Sequence, residues 1–476
     1  MSRVSLERIA EAWDRDALPA LESFVRIPAK SPAFDAEWAE NGHLEAAVAL
    51  GAEFCRRHLP DADTQVLRRE GRTPLLWVEV PGSAPQAGTA LIYAHLDKQP
   101  ESTGWSEGLG PWEPQIRDGR LYGRGAVDDG YALFSVVTAL AALREAGHAH
   151  PRCVLIAETG EESGSPDLPA YLDELAGAIG DPDLVVCPDA GCGTYDRLWC
   201  TNSLRGMITG ILRADVLAEG VHSGDAGGVA PSSFRVLRRL LSRLEDEATG
   251  RILPQLCEVT IPRHCREQAA HAGEVLGALT RERYPLLEGV RPDSDDPAER
   301  ILDRSWRAAV EVIGAEGLPP IEAAGNVLRP FTAVKLALRL PPTADAEAVA
   351  EALEALLTED PPAGAHVRFE PDTVAAGWAA PEPAPWLARA LADASEAHFG
   401  AAPVYMGEGG TIPLLVWLQR RFPRAEYLVT GVAGPGANAH GPDESLHLDA
   451  TRRLTACLAE TLQALAAERA SGPGGR

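Results

Sequence analysis

Ala90-Leu91-Ile92-Tyr93-Ala94-His95-Leu96-Asp97 runs through five apolar residues before its first polar group. An unbroken apolar run of this length reads as a strand buried on both faces. Similar runs stand at Pro74–Val80, Cys153–Ala157 and Leu184–Cys187. Between them, Asp129–Ala146 and Asp167–Ala178 have helical spacing. Ahead of them, Leu6–Val25 and Leu44–Leu59 read as helices, the first stopped by Pro28. This alternation predicts an α/β domain of three layers, with a mixed, mainly parallel sheet between helices.

The pattern changes near Arg205. Met207–Val216 reads as a strand, Pro231–Glu247 as a helix, Asn326–Leu340 as a long strand, Asp345–Leu357 as a helix and His366–Glu370 as a strand. That is an α+β unit. After Val374 the earlier style returns, with helices at Pro385–Phe399, Ile412–Arg420 and Ala450–Ala467 and a strand at Glu426–Thr430. The expected organisation is therefore one domain in two segments, 1–205 and 373–476, interrupted by residues 206–372. The Gly-rich tail Ser471–Arg476 is expected to lie outside any packed element.

The chain has 476 residues, with 69 Asp and Glu against 44 Lys and Arg, a net charge of −25. Phosphate backbones and anionic membrane surfaces need basic patches, so neither is an expected partner. Met1–Asp16 lacks the apolar core of a signal peptide. The apolar stretch Ala132–Leu143 is shorter than a membrane span. The eight cysteines form no C-x-x-C pair and read as buried small residues in a reducing cytoplasm.

Five acid- or histidine-bearing segments follow the apolar strands. His95 and Asp97 share a face, because residues i and i+2 of a strand do. Asp128-Asp129 follow Gly123-Arg124-Gly125. A carboxylate where a dinucleotide loop needs its third glycine would repel a pyrophosphate, which excludes that motif; Asp128 as a plain helix cap stays possible. Glu161-Glu162, Asp189 and His440 complete the set. In an open α/β sheet the strand ends form the ligand-binding edge. His95, Asp128, Glu162, Asp189 and His440 then offer two imidazoles and three carboxylates. Such donors suit zinc and also admit manganese or cobalt. Two ions would need a shared carboxylate, and Asp128 is placed to bridge them. No G-x-S-x-G or H-E-x-x-H motif is present.

In order, these motifs resemble the dizinc exopeptidase family of carnosinase-type dipeptidases, carboxypeptidase G, aminoacylase and acetylornithine deacetylase. The carnosinase-like branch is nearest, through Asp118-Gly119-Arg120-Leu121-Tyr122-Gly123-Arg124-Gly125, Glu161-Glu162-Ser163-Gly164-Ser165, Ser203-Leu204-Arg205-Gly206, His222-Ser223-Gly224 and Glu408-Gly409-Gly410-Thr411. The resemblance implies hydrolysis of dipeptides, or alternatively of N-acyl amino acids, at a pair of divalent ions, most often zinc. His95, Asp128 and Asp189 would hold one ion, and His440, Asp128 and Glu162 the other. Asp97 would orient His95, and Glu161 would be the general base toward a water held between the ions. The interrupting unit would be a ferredoxin-like lid and dimerisation domain, making a homodimer. Its His222 would polarise the oxyanion, Arg339 would receive the substrate carboxylate and Asn326 would assist. Gly409, Gly410 and Thr411 would donate hydrogen bonds to substrate. A non-catalytic homologue is a third reading, disfavoured by the intact ligand set. The resemblance also implies a cis peptide at Asp128-Asp129. One departure stands out: the branch carries Lys-Gly after the acid pair, and this chain has Gly130-Tyr131.

Overall fold

In the computed structural model, which describes residues 4–472, a six-stranded sheet runs in the order Asp63–Leu67, Leu75–Val80, Arg152–Glu158, Thr89–His95, Leu184–Cys187, Glu426–Val429. The first three strands pair antiparallel with their neighbours, and the last four run parallel. The four apolar runs read from the sequence all lie in this sheet. Thr89–His95 sits between Arg152–Glu158 and Leu184–Cys187, which is why it has no polar face. Asp63–Leu67 was not expected as a strand, because it is a polar edge with little apolar content.

The chain forms two compact units. One comprises Met1–Thr201, Ala380–Tyr405 and Trp417–Arg476; the other comprises Asn202–Ala379 and Met406–Val416. The expected tail falls from residue 473 onward outside the described residues. Met406–Val416, expected with the sheet domain, packs with the second unit instead. Thr411 explains the placement: its hydroxyl donates to the Arg205 carbonyl at 2.5 Å and lies 3.5 Å from Arg339 Nη1.

In the first unit, Tyr131–Glu145 is the central helix, buried continuously from Tyr131 to Leu140. It packs against Leu6–Ala12, His43–His58 and Leu448–Ala470. With the turn before it, Ala126–Glu145 is long and apolar enough to cross a membrane, a longer span than Ala132–Leu143 suggested. Helices on several sides explain that composition, since a helix buried all round has no polar stripe. A small antiparallel sheet of Gln115–Arg117, Arg120–Tyr122 and Ser445–His447 fastens two loops together. Its pairing of Tyr122 with Ser445 brings the Asp128 turn and the His440 loop to one place.

In the second unit, four antiparallel strands lie in the order Ala309–Glu316, Phe331–Leu340, Gly206–Asp215, His366–Ala375. Helix Ser233–Leu241 follows the first strand in the chain, and Ala346–Thr358 joins the third to the fourth. This β-α-β-β-α-β order is the ferredoxin-like plan. Leu212, Leu336, Leu338, Leu237, Leu240, Leu353 and Phe369 form its core. The long strand expected over Asn326–Leu340 breaks before Phe331. Pro330 has no N–H for a ladder, and Val327–Leu328 pairs instead with Val221–His222.

The loop after Glu426–Val429 passes against the loop that carries Asp189. A Cβ on Gly431 would lie 1.8 Å from the Ala190 carbonyl oxygen, so only glycine fits this close approach. Gly431→Ala is expected to lower stability by about 2–3 kcal/mol through overpacking, read as a reduced urea midpoint. An unchanged midpoint would show that the loops yield freely.

Candidate dinuclear metal centre

Three of the four parallel strands deliver a functional group at or just beyond their C-terminal ends. His95 is the last residue of its strand. Glu161-Glu162 follow Arg152–Glu158 in a short 3-10 turn, and Asp189 stands two residues beyond Cys187. Asp128 lies in the turn before the central helix, and its peptide bond to Asp129 is cis. His440 comes from a loop whose Asn438, His440 and Asp443 all have positive φ (52°, 64° and 58°). Asn, Asp and His are the side chains that tolerate this region best.

Asp128 is the geometric centre. Its Oδ1 is 3.1 Å from His95 Nε2, and its Oδ2 is 2.8 Å from His440 Nε2. His95 Nε2 is also 3.8 Å from Asp189 Oδ2, and His440 Nε2 is 3.4 Å from Glu162 Oε2. Two triads result, His95–Asp128–Asp189 and Asp128–Glu162–His440, each with its donor atoms within 4.8 Å of one another. Asp128 belongs to both, offering one oxygen to each side.

Asp97 organises the surroundings. Its backbone carbonyl lies 3.1 Å from His95 Nδ1, which turns Nε2 toward the acids. Its carboxylate accepts the Glu161 and Glu162 N–H groups at 3.1 and 3.0 Å. One residue thus orients a histidine and pins the two glutamates.

The electrostatics favour cations. Burial pushes Glu161 well above the ordinary carboxylate range, and Asp189, Glu162 and Asp128 add to it against the pull of His95. Glu162 is pushed up to about 8, first by burial and then by Asp128. Burial would also raise Asp128, but hydrogen bonding with His440 and His95 holds it well below the usual range. The same contact with Asp128 lifts His440 to about 9. Buried like charges of this density repel unless neutralised. Two divalent cations would provide that neutralisation, and imidazole with carboxylate is the donor set that suits them. The residues therefore fit a dinuclear centre.

Three supporting groups escaped the motif reading. Arg124 and Glu444 form a buried ion pair, Nη1 to Oε2 at 2.7 Å, both at most 1% exposed. Arg124 Nη2 also donates to the Gly441 carbonyl at 2.9 Å, and Glu444 Oε1 accepts the Val127 N–H at 3.2 Å. The pair clamps the Asp128 turn to the His440 loop. Lys98, fully buried, donates to the Phe24 and Ile27 carbonyls at 2.7 and 2.8 Å and stands 4.0 Å over the Phe24 ring. This packing accounts for Gly130-Tyr131: a Cβ on Gly130 would meet Phe24 Cε1 at 2.4 Å and the Gly125 carbonyl at 2.5 Å. A lysine at that position has no space. The available signal was Lys98 itself, one of three lysines in the chain and adjacent to Asp97.

The remaining expected residues lie in the second unit. Exposed His222 accepts the Gly224 N–H on Nδ1 at 3.2 Å, which puts the neutral ring's proton on Nε2. Exposed Asn326 is its neighbour, its carbonyl accepting the Ser223 N–H at 2.9 Å. Arg339 lies beside Thr411, with Gly409 and Gly410 just before it in the chain.

The chain matches the model of the peptidase family M20/M25/M40 over residues 91–464. It is 30% identical over 404 residues to the cysteinylglycine-S-conjugate dipeptidase of Corynebacterium striatum, covering 83% of each protein. To the Cys-Gly metallodipeptidase dug1 of Schizosaccharomyces pombe it is 26% identical over 379 residues, 77% of this chain and 78% of that one. Its fold is similar to that of human carnosine dipeptidase 1, with a TM-score of 0.75 at 20% identity over 97% of this chain and 99% of that one. Shared sequence over most of its length, together with two carboxylate–imidazole triads joined at Asp128, establishes that this chain belongs to the M20/M25/M40 peptidase family.

Proposed function

We propose that the protein is a dipeptidase that hydrolyses the amide bond of dipeptides with a dinuclear divalent metal centre. The observation that carries this reading is the sharing of Asp128 between two complete triads. Relatives named as Cys-Gly and β-Ala-His dipeptidases support dipeptides as the substrate class. His95, Asp128 and Asp189 would hold one ion and His440, Asp128 and Glu162 the other, with zinc the metal best matched to these donors. When bound, the ions would polarise the scissile carbonyl and acidify the attacking water.

The chain's own groups do the rest. Glu161 takes the proton of the attacking water and returns it to the leaving amine. Its backbone is tied to Asp97, so the carboxyl is aimed by two strand ends at once. A buried carboxyl has its pKa raised by desolvation, and bound cations would draw it back toward neutrality, the range in which a group can both accept and donate. His222, with its proton on Nε2, supplies a donor to the developing oxyanion. Arg339 receives the substrate's α-carboxylate, with Asn326 and the Gly409–Thr411 segment as further donors.

Homodimerisation through the inserted unit fits its edge strand Ala309–Glu316, which leaves Val312 and Ile313 50% and 56% exposed. An unpaired edge with apolar side chains invites a second copy. A cytoplasmic location agrees with eight free cysteines, six of them buried.

Glu161→Gln is expected to lower kcat on a dipeptide such as Cys-Gly by about 10³-fold while both ions stay bound by elemental analysis. A fully metallated variant at wild-type rate would refute the base assignment. Chelation is expected to abolish hydrolysis and zinc to restore it. In equilibrium dialysis Asp128→Asn should lose both ions, whereas Asp189→Asn and Glu162→Gln should each lose one; equal losses in all three would refute the bridge. Sedimentation should give twice the monomer mass, falling to the monomer in Val312→Asp/Ile313→Asp; a wild-type monomer would exclude the dimer.

A further inference from the structure

The second unit contains a group of arginines that form no ion pair among the described residues. Arg205 precedes strand Gly206–Asp215, Arg304 lies in helix Pro297–Ser305, and Arg339 lies in strand Phe331–Leu340. Other partly or fully buried arginines do find carboxylates, as Arg124, Arg152, Arg213 and Arg307 show. Among the described residues none of these three forms an ion pair, although the chain has 69 acids. Arg205 Nη1 only approaches the Asp303 and Arg307 carbonyls at 3.4 Å, and its buried Nε has no partner. Arg304 Nη2 has the Met406 sulfur at 3.3 Å and the Gly407 carbonyl at 3.4 Å. Glu408 partly offsets Arg304, and Arg283 adds to its positive surroundings.

The three side chains converge on one segment. Thr411 Oγ1 touches Arg339 and bonds the Arg205 carbonyl. A Cβ on Gly409 would sit 3.0 Å from Arg205 Nη2 and 3.2 Å from the Arg304 carbonyl. Glycine there keeps the Arg205 guanidinium uncovered. Burial first, and then the nearby Arg339 and Arg304, push Arg205 down to about 10. Keeping buried cations unpaired is costly unless a ligand completes them.

We propose that Arg205 and Arg304, beside Arg339, form a subsite for a second substrate carboxylate, so that the preferred substrates are dipeptides with aspartate or glutamate as the C-terminal residue. The proposal rests on the reading that Arg339 receives the α-carboxylate. One guanidinium then serves that group, and two remain for the side-chain carboxylate, which a planar fork binds in bidentate fashion.

The test compares Ala-Glu with Ala-Gln, and Ala-Asp with Ala-Asn, on the zinc-loaded full-length protein. These pairs differ in charge at nearly constant shape. The acidic member is expected to have a kcat/KM about tenfold higher, the scale of a charged hydrogen bond. Arg205→Met and Arg304→Met are expected to abolish that ratio through KM, and Arg205→Lys to restore part of it. Arg339→Met should weaken all four substrates alike. Equal cleavage of Ala-Glu and Ala-Gln by wild type, or a ratio unchanged in both Met variants, would overturn the subsite alone. Cleavage of none of the four would overturn the dipeptidase reading and the subsite with it. Should Arg304→Met fail to fold, the wild-type ratio and Arg205→Met still decide.

Discussion

One carboxylate, Asp128, faces two imidazoles, and the first unit is arranged around that arrangement. Its two oxygens point to opposite sides, toward His95 at 3.1 Å and His440 at 2.8 Å. The histidines come from positions 345 residues apart in the chain (440 − 95). To hold both against one acid, the fold must fix a strand end, the turn before a helix and a late loop relative to one another. The parallel strands fix His95, Glu162 and Asp189. The small sheet and the Arg124–Glu444 pair fix Asp128 and His440.

Convergence of this kind is expensive, because Asp97, Asp128, Glu161, Glu162 and Asp189 repel each other in a poorly solvated place. The structure offsets the cost with backbone dipoles and geometry. Asp97 accepts two N–H groups. The Arg124–Glu444 pair is a constraint more than a source of stability, since a buried ion pair gains little over an apolar pair of the same shape. Losing one member would leave an unpaired buried charge, at about 3–5 kcal/mol, and would free the His440 loop. The charge that remains unbalanced at the centre is what makes it a cation site.

The sequence exposed the strand-end residues plainly, because a polar group ending an apolar run has few structural reasons to be there. His95, Glu161-Glu162 and Asp189 were legible for that reason. Arg124–Glu444 was not: its members are 320 residues apart, and each alone looks like an ordinary surface charge. Lys98 was hidden differently. Its partners are backbone carbonyls, which leave no trace in side-chain pattern. The break at Pro330 was visible as a proline but was outweighed by apolar alternation on both sides. The edge strands Asp63–Leu67 and Ala309–Glu316 have no fully buried residue, so they lack the buried apolar face that marks a strand.

The net charge of −25 describes neither of the places where charge is chemically active. Surface acids and bases mostly pair or face water, where each contributes little. What distinguishes a functional position is charge left unbalanced where solvent cannot screen it. In the first unit that charge is negative and calls for metal cations. In the second it is positive, on Arg205, Arg304 and Arg339, and calls for an anion. A dipeptide carries its carboxylate on one residue and its scissile carbonyl on the other, so under the proposed reading each kind of imbalance serves a different part of the substrate. Segregating them in two units lets each form without neutralising the other, which a single cluster of arginines and carboxylates would do at once.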